Sequence, residues 1–163
     1  MATPTTLPAA FVDGDVLNAS ELNDLRGAFR VLQVVEGTTS TQVVTTSFSF
    51  VTTNLTATIT PSATSSKILI LVNSPAGKDS TVFSGIYTAL FRGTVAGTNL
   101  AGSLLYNGGN NLYTMCTYSF LDLPNTTSAT AYTLGIRSNS ASTAVYANAD
   151  NNRSSIILME ISA

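Results

Sequence analysis

Short segments of β-type sequence recur from Val31 onward, and turn signals separate them throughout. Residues 112–123, for example, alternate between two faces with the period of two that is typical of a strand. Turn residues such as Asn107-Gly108 and Pro124 interrupt the pattern. No helical pattern intervenes, and parallel strands need long crossovers that are usually helical, so the strands should pair antiparallel. About ten strands are predicted, at residues 31–36, 42–53, 55–60, 67–73, 82–92, 100–106, 112–123, 131–137, 143–148 and 153–161.

This pattern predicts an all-β fold, an antiparallel two-layer β-sandwich that is jelly-roll-like. The chain has 163 residues, of which 44% are hydrophobic, and this is enough for one domain with its own core. Thr is frequent in the predicted strands, because its β-branched side chain tolerates a pleated, half-exposed surface.

Residues 1–30 differ in character from the rest of the chain. They open with a Pro- and Thr-rich stretch, and Asn18-Ala19-Ser20-Glu21 then has the spacing of a capping box, which begins a helix. Leu22, Leu25 and Phe29 follow as an i, i+3, i+7 stripe. We therefore predict an N-terminal arm with one short α-helix at residues 1–30, followed by a β-sandwich domain at residues 31–163.

The composition excludes several classes of function. The chain has no His and a single Cys, so it cannot form a His-ligated metal site, a Ser-His-Asp triad, a Cys-His dyad or an internal disulfide. Its 7 Lys and Arg residues are scattered, whereas a nucleic-acid surface needs a basic stripe. No apolar run reaches the roughly 18 residues of a membrane-spanning helix. We expect no enzyme activity, no cofactor or metal, and no nucleic-acid or membrane partner.

A few polar residues stand out within this pattern. Asp13 and Asp15 are close together, and their setting favours a turn before the helix over a cation site. Glu160 lies in an apolar strand, and Arg92 and Arg137 lie in or beside other apolar strands. This indicates that Glu160 either forms a structural ion pair or faces the edge of a sheet. Cys116 alternates with apolar neighbours and should be a small core residue.

The densest group of recognition-type residues surrounds the turn at Asn107-Gly108. Tyr offers contact area at low entropic cost, and Asn offers adaptable hydrogen bonds. The candidate surface-recognition residues are Tyr106, Asn107, Asn110, Asn111 and Tyr113. The alternative is that Tyr113, like Tyr87, is a strand residue that packs locally. The low charge with 44% hydrophobic residues also hints at an apolar surface between subunits.

Several stretches resemble proteins of tailed-bacteriophage particles. Residues 11–23, FVDGDVLNASELN, are similar to an opening found near the start of many such virion proteins. Residues 31–35, 45–48, 59–70 (ITPSATSSKILI), 120–127 and 157–161 are similar to a β-rich module of phage fibre and appendage proteins. The resemblance implies a non-enzymatic virion component, often trimeric, whose N-terminal segment attaches to the particle. It implies no catalytic residue.

The resemblance, with so short a chain and no shaft, favours a capsid decoration (cement) protein on the outer surface of the virion. A short head or tail fibre that binds a host surface glycan through its loops is the alternative. The expected partners are the major capsid protein or tail and vertex proteins, with copies of this chain in a homotrimer. The predicted attachment residues are Phe11, Val12, Leu17, Leu22, Leu25, Arg26 and Phe29.

A third hypothesis is a glycan-cleaving enzyme. It would require two carboxylates at catalytic separation in a cleft. The sequence offers for this role Glu36, Asp79, Asp122 and Asp150.

Overall fold

A computed structural model of the chain describes residues 31–79, 83–107 and 111–162. The predicted arm and helix at residues 1–30 lie outside the described residues. The strands are β1 (Val31–Thr39), β2 (Val43–Thr45), β3 (Val51–Ile59), β4 (Lys67–Lys78), β5 (Ser84–Arg92), β6 (Thr98–Asn107), β7 (Leu112–Asp122), β8 (Thr130–Ser138), β9 (Val145–Ala147) and β10 (Ser154–Ile161). A single 3-10 turn, Ala149–Asn151, joins the last two strands. Within this part of the chain, no helix has the length and apolar character needed to span a membrane.

The strands form two antiparallel sheets. In the first sheet the order is β1-β10-β4-β7, and the short strands β9 and β2 continue it beside the far end of β4. In the second sheet the order is β3-β8-β5-β6. All paired strands run antiparallel, as the sequence predicted.

The connectivity of these sheets is that of a jelly roll. If β1 with β2, and β9 with β10, are each counted as one interrupted strand, the sandwich has eight strands. The first pairs with the eighth (β1 with β10), the second with the seventh (β3 with β8), the third with the sixth (β4 with β7) and the fourth with the fifth (β5 with β6). This nested hairpin, folded over on itself, is the jelly-roll arrangement. The predicted fold class is therefore confirmed.

The core lies between the two sheets and follows from strand alternation. In β4, Ile68, Ile70 and Val72 point inward and are buried, and Leu55 and Leu134 of the second sheet belong to the same buried cluster. A second cluster nearer β9 contains the predicted core residue Cys116, which is 4% exposed. Buried aliphatic side chains of this kind each contribute about 1.5–3 kcal/mol relative to exposure, so the core is the main source of stability.

The strand boundaries predicted within residues 42–60 are wrong. Residues 42–53 do not form a single strand, because the chain leaves the first sheet after β2 and enters the second at β3. The Ser47 backbone N–H donates to Thr45 Oγ1 at 3.0 Å, and the Ser49 N–H donates to Ser47 Oγ at 3.0 Å. Such local side-chain hydrogen bonds replace the backbone hydrogen bonds between strands, and the chain turns here. Conversely, β3 runs through Asn54, whose φ of 62° makes a bulge where the prediction placed a break.

Candidate interaction surfaces

The outer face of the first sheet carries a continuous row of apolar side chains. Val34 of β1 lies opposite Met159 of β10. Met159 lies opposite Leu69 of β4, and Leu69 lies opposite Leu121 of β7. All four alternate with buried residues, so they point away from the core. The rows beside this one add further aliphatic residues. We call these outward aliphatic residues the apolar band, which consists of Val31, Val34, Leu69, Leu71, Leu121, Leu123, Ile157, Met159 and Ile161; the flanking rows also contain Lys67, Glu36 and Ser119.

The apolar band is open to solvent and is bounded by polar groups. Val34 is 55% exposed and Leu121 is 45% exposed. Four strands about 4.8 Å apart and three rows about 7 Å apart give a footprint of about 400 Å². At one margin Glu36 Oε1 accepts a hydrogen bond from Arg153 Nη2 at 3.0 Å, and both side chains are exposed. A contiguous apolar patch with a polar rim is typical of a protein–protein contact surface.

The sequence contained a signal for this band. The uninterrupted apolar run Ile68–Val72 is typical of a strand that is buried on both faces or central in a sandwich. β4 is indeed central, but only its even-numbered residues face the core, and Leu69 and Leu71 face outward and are half-buried. An uninterrupted apolar run in a two-layer sandwich therefore marks an outer face that is apolar as well.

The outer face of the second sheet is polar by comparison. The outward residues of β3 include Thr52, Thr56 and Thr58, which are exposed. At one end of this face the rings of Phe83 and Tyr106 meet edge to face, with centroids 4.6 Å apart. The Asn139 side-chain amide donates to the Tyr106 hydroxyl at 3.3 Å.

The predicted recognition residues do not form one surface. Tyr106 lies on the outer face of the second sheet beside Gly85, whereas Tyr113 lies on the outer face of the first sheet over Gly77. The two tyrosines flank a turn that links different sheets, and so they point to opposite sides of the sandwich. Of the asparagines, Asn107 ends β6 and Asn111 directly precedes β7, while Asn110 lies outside the described residues. A recognition role for this group stays a prediction.

Tyr113 lies between two carboxylates. Its hydroxyl donates to Asp79 Oδ1 at 2.5 Å. This hydrogen bond and the nearby charges of Asp79 and Asp150 raise the pKa of Tyr113 to about 12, because an anionic phenolate there would be repelled. A shallow cavity of about 290 Å³ opens beside Tyr113 and Asp150. Within the described ranges, His, Cys, Asp and Glu nowhere form a group of three that could hold a metal ion.

The other two carboxylates of the glycan-cleaving hypothesis serve structural contacts. Glu36 is paired with Arg153 at the margin of the apolar band. Asp122 is 3% exposed and accepts hydrogen bonds from Arg92 and from the Tyr132 hydroxyl, the latter at 2.7 Å. The hydrogen bond to Asp122 is the main cause that raises the pKa of Arg92. The Arg92–Asp122 pair links the two sheets at one end of the sandwich.

Among the residues that the structure describes, none forms an ion pair with Glu160, so the predicted ion pair with Arg92 or Arg137 is wrong, as is the edge-facing alternative. Glu160 is fully buried, and its carboxylate accepts from Gln33 Nε2 at 2.6 Å, from the Ser62 N–H at 2.7 Å and hydroxyl at 2.6 Å, and from Ser66 Oγ at 2.6 Å. Burial alone would raise the pKa of Glu160, but these hydrogen bonds outweigh it and lower the pKa from 4.5 to about 2. Neutral donors therefore satisfy this charge.

The predicted attachment residues all lie outside the described residues. The segment that contains them joins the sandwich at Val31, the first residue of β1, which is itself part of the apolar band. Their attachment role stays a prediction; the residues concerned are Phe11, Val12, Leu17, Leu22, Leu25, Arg26 and Phe29.

Comparisons with known proteins return distant likenesses. No family model and no curated protein matches the chain. Among solved structures, it is similar to "Structure of infectious bursal disease virus Gx strain" at 14% identity and a TM-score of 0.47, over 82% of this chain and 33% of that chain. It is similar to "The 2.6A structure of Infectious Bursal Virus Derived T=1 Particles" at 11% identity and a TM-score of 0.43, over 82% and 37%. The chain thus spans about a third of the length of these proteins.

Proposed function

We propose that this protein is a structural component of a bacteriophage virion, a capsid decoration protein on the outer surface of the particle. Residues 1–30 attach it to the major capsid protein, and the apolar band holds copies of the chain together in a homotrimer. It has no catalytic role and no cofactor.

The apolar band is the observation that supports an assembly role most directly. Its central row, Val34–Met159–Leu69–Leu121, contains no polar side chain across four strands. A second copy can therefore pack against it without burying an unpaired charge, which would cost several kcal/mol. The footprint of about 400 Å² is smaller than the roughly 800 Å² that each partner buries in a standard interface. The polar rim around the band must supply the remaining area.

The position of residues 1–30 supports attachment by this segment. They resemble the opening of tailed-phage virion proteins, and they join the sandwich at β1, the edge strand of the first sheet. The stripe of Leu22, Leu25 and Phe29 offers an apolar face to a partner.

Co-sedimentation of the full-length protein with undecorated capsids of its phage tests this proposal. We expect saturable binding by the natural protein and loss of binding in Leu25→Asp, because an aspartate would place a charge in the apolar stripe. Asn23→Asp is the matched control, since it adds the same charge outside the stripe and should bind normally. Equal binding by Leu25→Asp and the natural protein would contradict attachment through this stripe.

A short head or tail fibre is the second candidate, and the exposed Phe83–Tyr106 pair favours it. Phe83 is 65% exposed, and an exposed pair of aromatic rings suits contact with a host surface glycan. In this case the purified protein should compete with phage for adsorption to host cells, and Tyr106→Ala should compete less well. Thr58→Ala, on the same outer face, is the control. Competition that is unchanged by Tyr106→Ala would remove this candidate surface.

A further inference from the structure

A trough crosses the outer face of the second sheet. Three register partners on neighbouring strands, Gly102 of β6, Ala89 of β5 and Gly135 of β8, have no side chain larger than a methyl group. The rows on both sides are bulky. Leu104 and Tyr87 form one wall, and Asn99 lies on the other. The trough is thus a consequence of register, because three small residues coincide between larger ones.

One end of the trough is closed and the other is open. Above Gly135, an added Cβ would meet the Phe91 ring at 2.9 Å and the Phe50 ring at 3.4 Å, so these side chains cover that end. Above Gly102, an added Cβ would come no nearer than 3.6 Å to its closest neighbour. The open part has a volume of about 310 Å³. This lies at the lower end of the range for small-molecule sites, where a single sugar ring fits.

A positioned guanidinium lines this trough. Arg137 Cζ lies 3.8 Å from the centroid of the Tyr87 ring and 5.2 Å from that of Phe50, so two aromatic faces hold its plane. Its Nη1 donates to the Phe48 carbonyl at 3.4 Å, a long hydrogen bond. In the part of the chain that the structure describes, the ion pairs are Arg92–Asp122 and Arg153–Glu36, and no carboxylate pairs with Arg137.

We propose that this trough binds a pyranose ring that bears an oxyanion, either a carboxylate or a phosphate. The fork of Arg137 N–H donors binds the oxyanion, because a fixed planar guanidinium matches two oxygens at once. The ring lies over Gly102, the exposed end of the trough, and the Asn99 amide is placed to hydrogen-bond its hydroxyls. This site is independent of the proposed attachment to the capsid, since it uses only the second sheet.

Ligand-observed NMR titration of the full-length protein tests the site. The probes are D-glucuronate, glucose 1-phosphate, glucose and inorganic phosphate. At least one anionic sugar should bind saturably and about tenfold more tightly than both glucose and inorganic phosphate, because ring and oxyanion contribute together. The tighter of the two anionic sugars identifies the oxyanion. Absence of saturable binding by both anionic sugars, or binding of glucose as tight as that of either, would overturn the proposal.

Two variants locate the binding. Gly102→Val fills the trough at a position where the fold has room, and it should weaken binding of the anionic sugar at least about tenfold. Arg137→Gln should remove the preference for anionic over neutral sugar. Arg153→Gln, which removes an exposed guanidinium elsewhere, should leave binding unchanged. Normal binding by both trough variants would overturn the proposal, and so would equal weakening by Arg153→Gln.

Discussion

The two outer faces of this sandwich differ far more than the two inner ones. Both sheets contribute buried aliphatic residues to the core, such as Ile70 from β4 and Leu134 from β8. Outside, the first sheet presents an aliphatic band, whereas the second presents threonines, a stacked arginine and a trough. The jelly roll needs only the inner faces, so the outer faces are free to specialise. The first is suited to association with protein, and the second to a small polar ligand.

The largest expected effect concerns self-association through the apolar band of the first sheet. Leu121→Asp places a carboxylate in the apolar band, and burying it without a partner should weaken self-association about 100-fold or more. Light scattering coupled to gel filtration should then show a trimer for the natural protein and a monomer for the variant.

Thr117→Asp is the control for this experiment, because it lies on the same strand and face in the polar row that contains Asn73. It should remain trimeric. The proposed role of the apolar band in self-association would be contradicted if the natural protein were a monomer. It would also be contradicted if Thr117→Asp dissociated the trimer as strongly as Leu121→Asp.

A smaller effect should appear in folding and not in association. Glu160 is buried inside the first sheet, and Glu160→Gln removes its charge and leaves fewer acceptors for Ser62, Ser66 and Gln33. We expect a loss of about 2 kcal/mol in the free energy of unfolding at neutral pH, measured by urea denaturation. Self-association at concentrations where both proteins are folded should not change.

The loss caused by Glu160→Gln should also depend on pH in one direction. The folded-state pKa of Glu160, about 2, lies below its ordinary value of 4.5. The ionised carboxylate therefore stabilises the fold fully above about pH 5, and this contribution declines as the pH falls toward 2. The difference between the natural protein and the variant should shrink over that interval. If the difference in free energy of unfolding stayed constant from pH 7 to about pH 2, stabilisation by the ionised Glu160 carboxylate would be contradicted.

The smallest effects concern one glycine on each outer face. At Gly77 of the first sheet, an added Cβ would lie 2.7 Å from the Tyr113 ring, whereas at Gly102 it would come no nearer than 3.6 Å to any neighbour. Gly77→Ala should destabilise the protein by about 1 kcal/mol as the Tyr113 ring is displaced. Gly102→Ala should instead stabilise it by about 0.5 kcal/mol, because alanine loses less backbone entropy in a strand. Thermal unfolding of the two variants compares them directly, and shifts of the same sign would show that the trough is not open at Gly102.

The sequence predicted the strands well where the signal is local. The run around Ile68 and the alternation in residues 112–123 both become strands of the first sheet, and β3 ends at Ile59, shortly before Pro61, which cannot donate a backbone hydrogen bond. The sequence does not predict the break at Ser47, because alternating Val, Thr and Ser residues suit a strand. The local hydrogen bonds of Ser47 and Ser49 are favoured only because the chain passes from the first sheet to the second at this point.

The features that matter for function depend on pairing between distant strands. The trough exists because Gly102, Ala89 and Gly135 fall in one register row, and no local pattern marks that coincidence. The partners of Glu160 come from β1 and the β3–β4 turn, far away in sequence. The separation of Tyr106 from Tyr113 likewise required knowing that their turn joins two sheets.

The nested order of the strands also determines when the chain can fold during its synthesis. β1 closes the first sheet against β10, and Gln33 reaches Glu160, which is made 127 residues later. Until that late segment emerges from the ribosome, β1 has no partner, and neither β10 nor the full core is available. Pairing over so long a loop is slow, typically milliseconds to seconds. A chain whose translation stops early therefore leaves β1 on an unclosed sheet, where chaperones and proteases can recognise it.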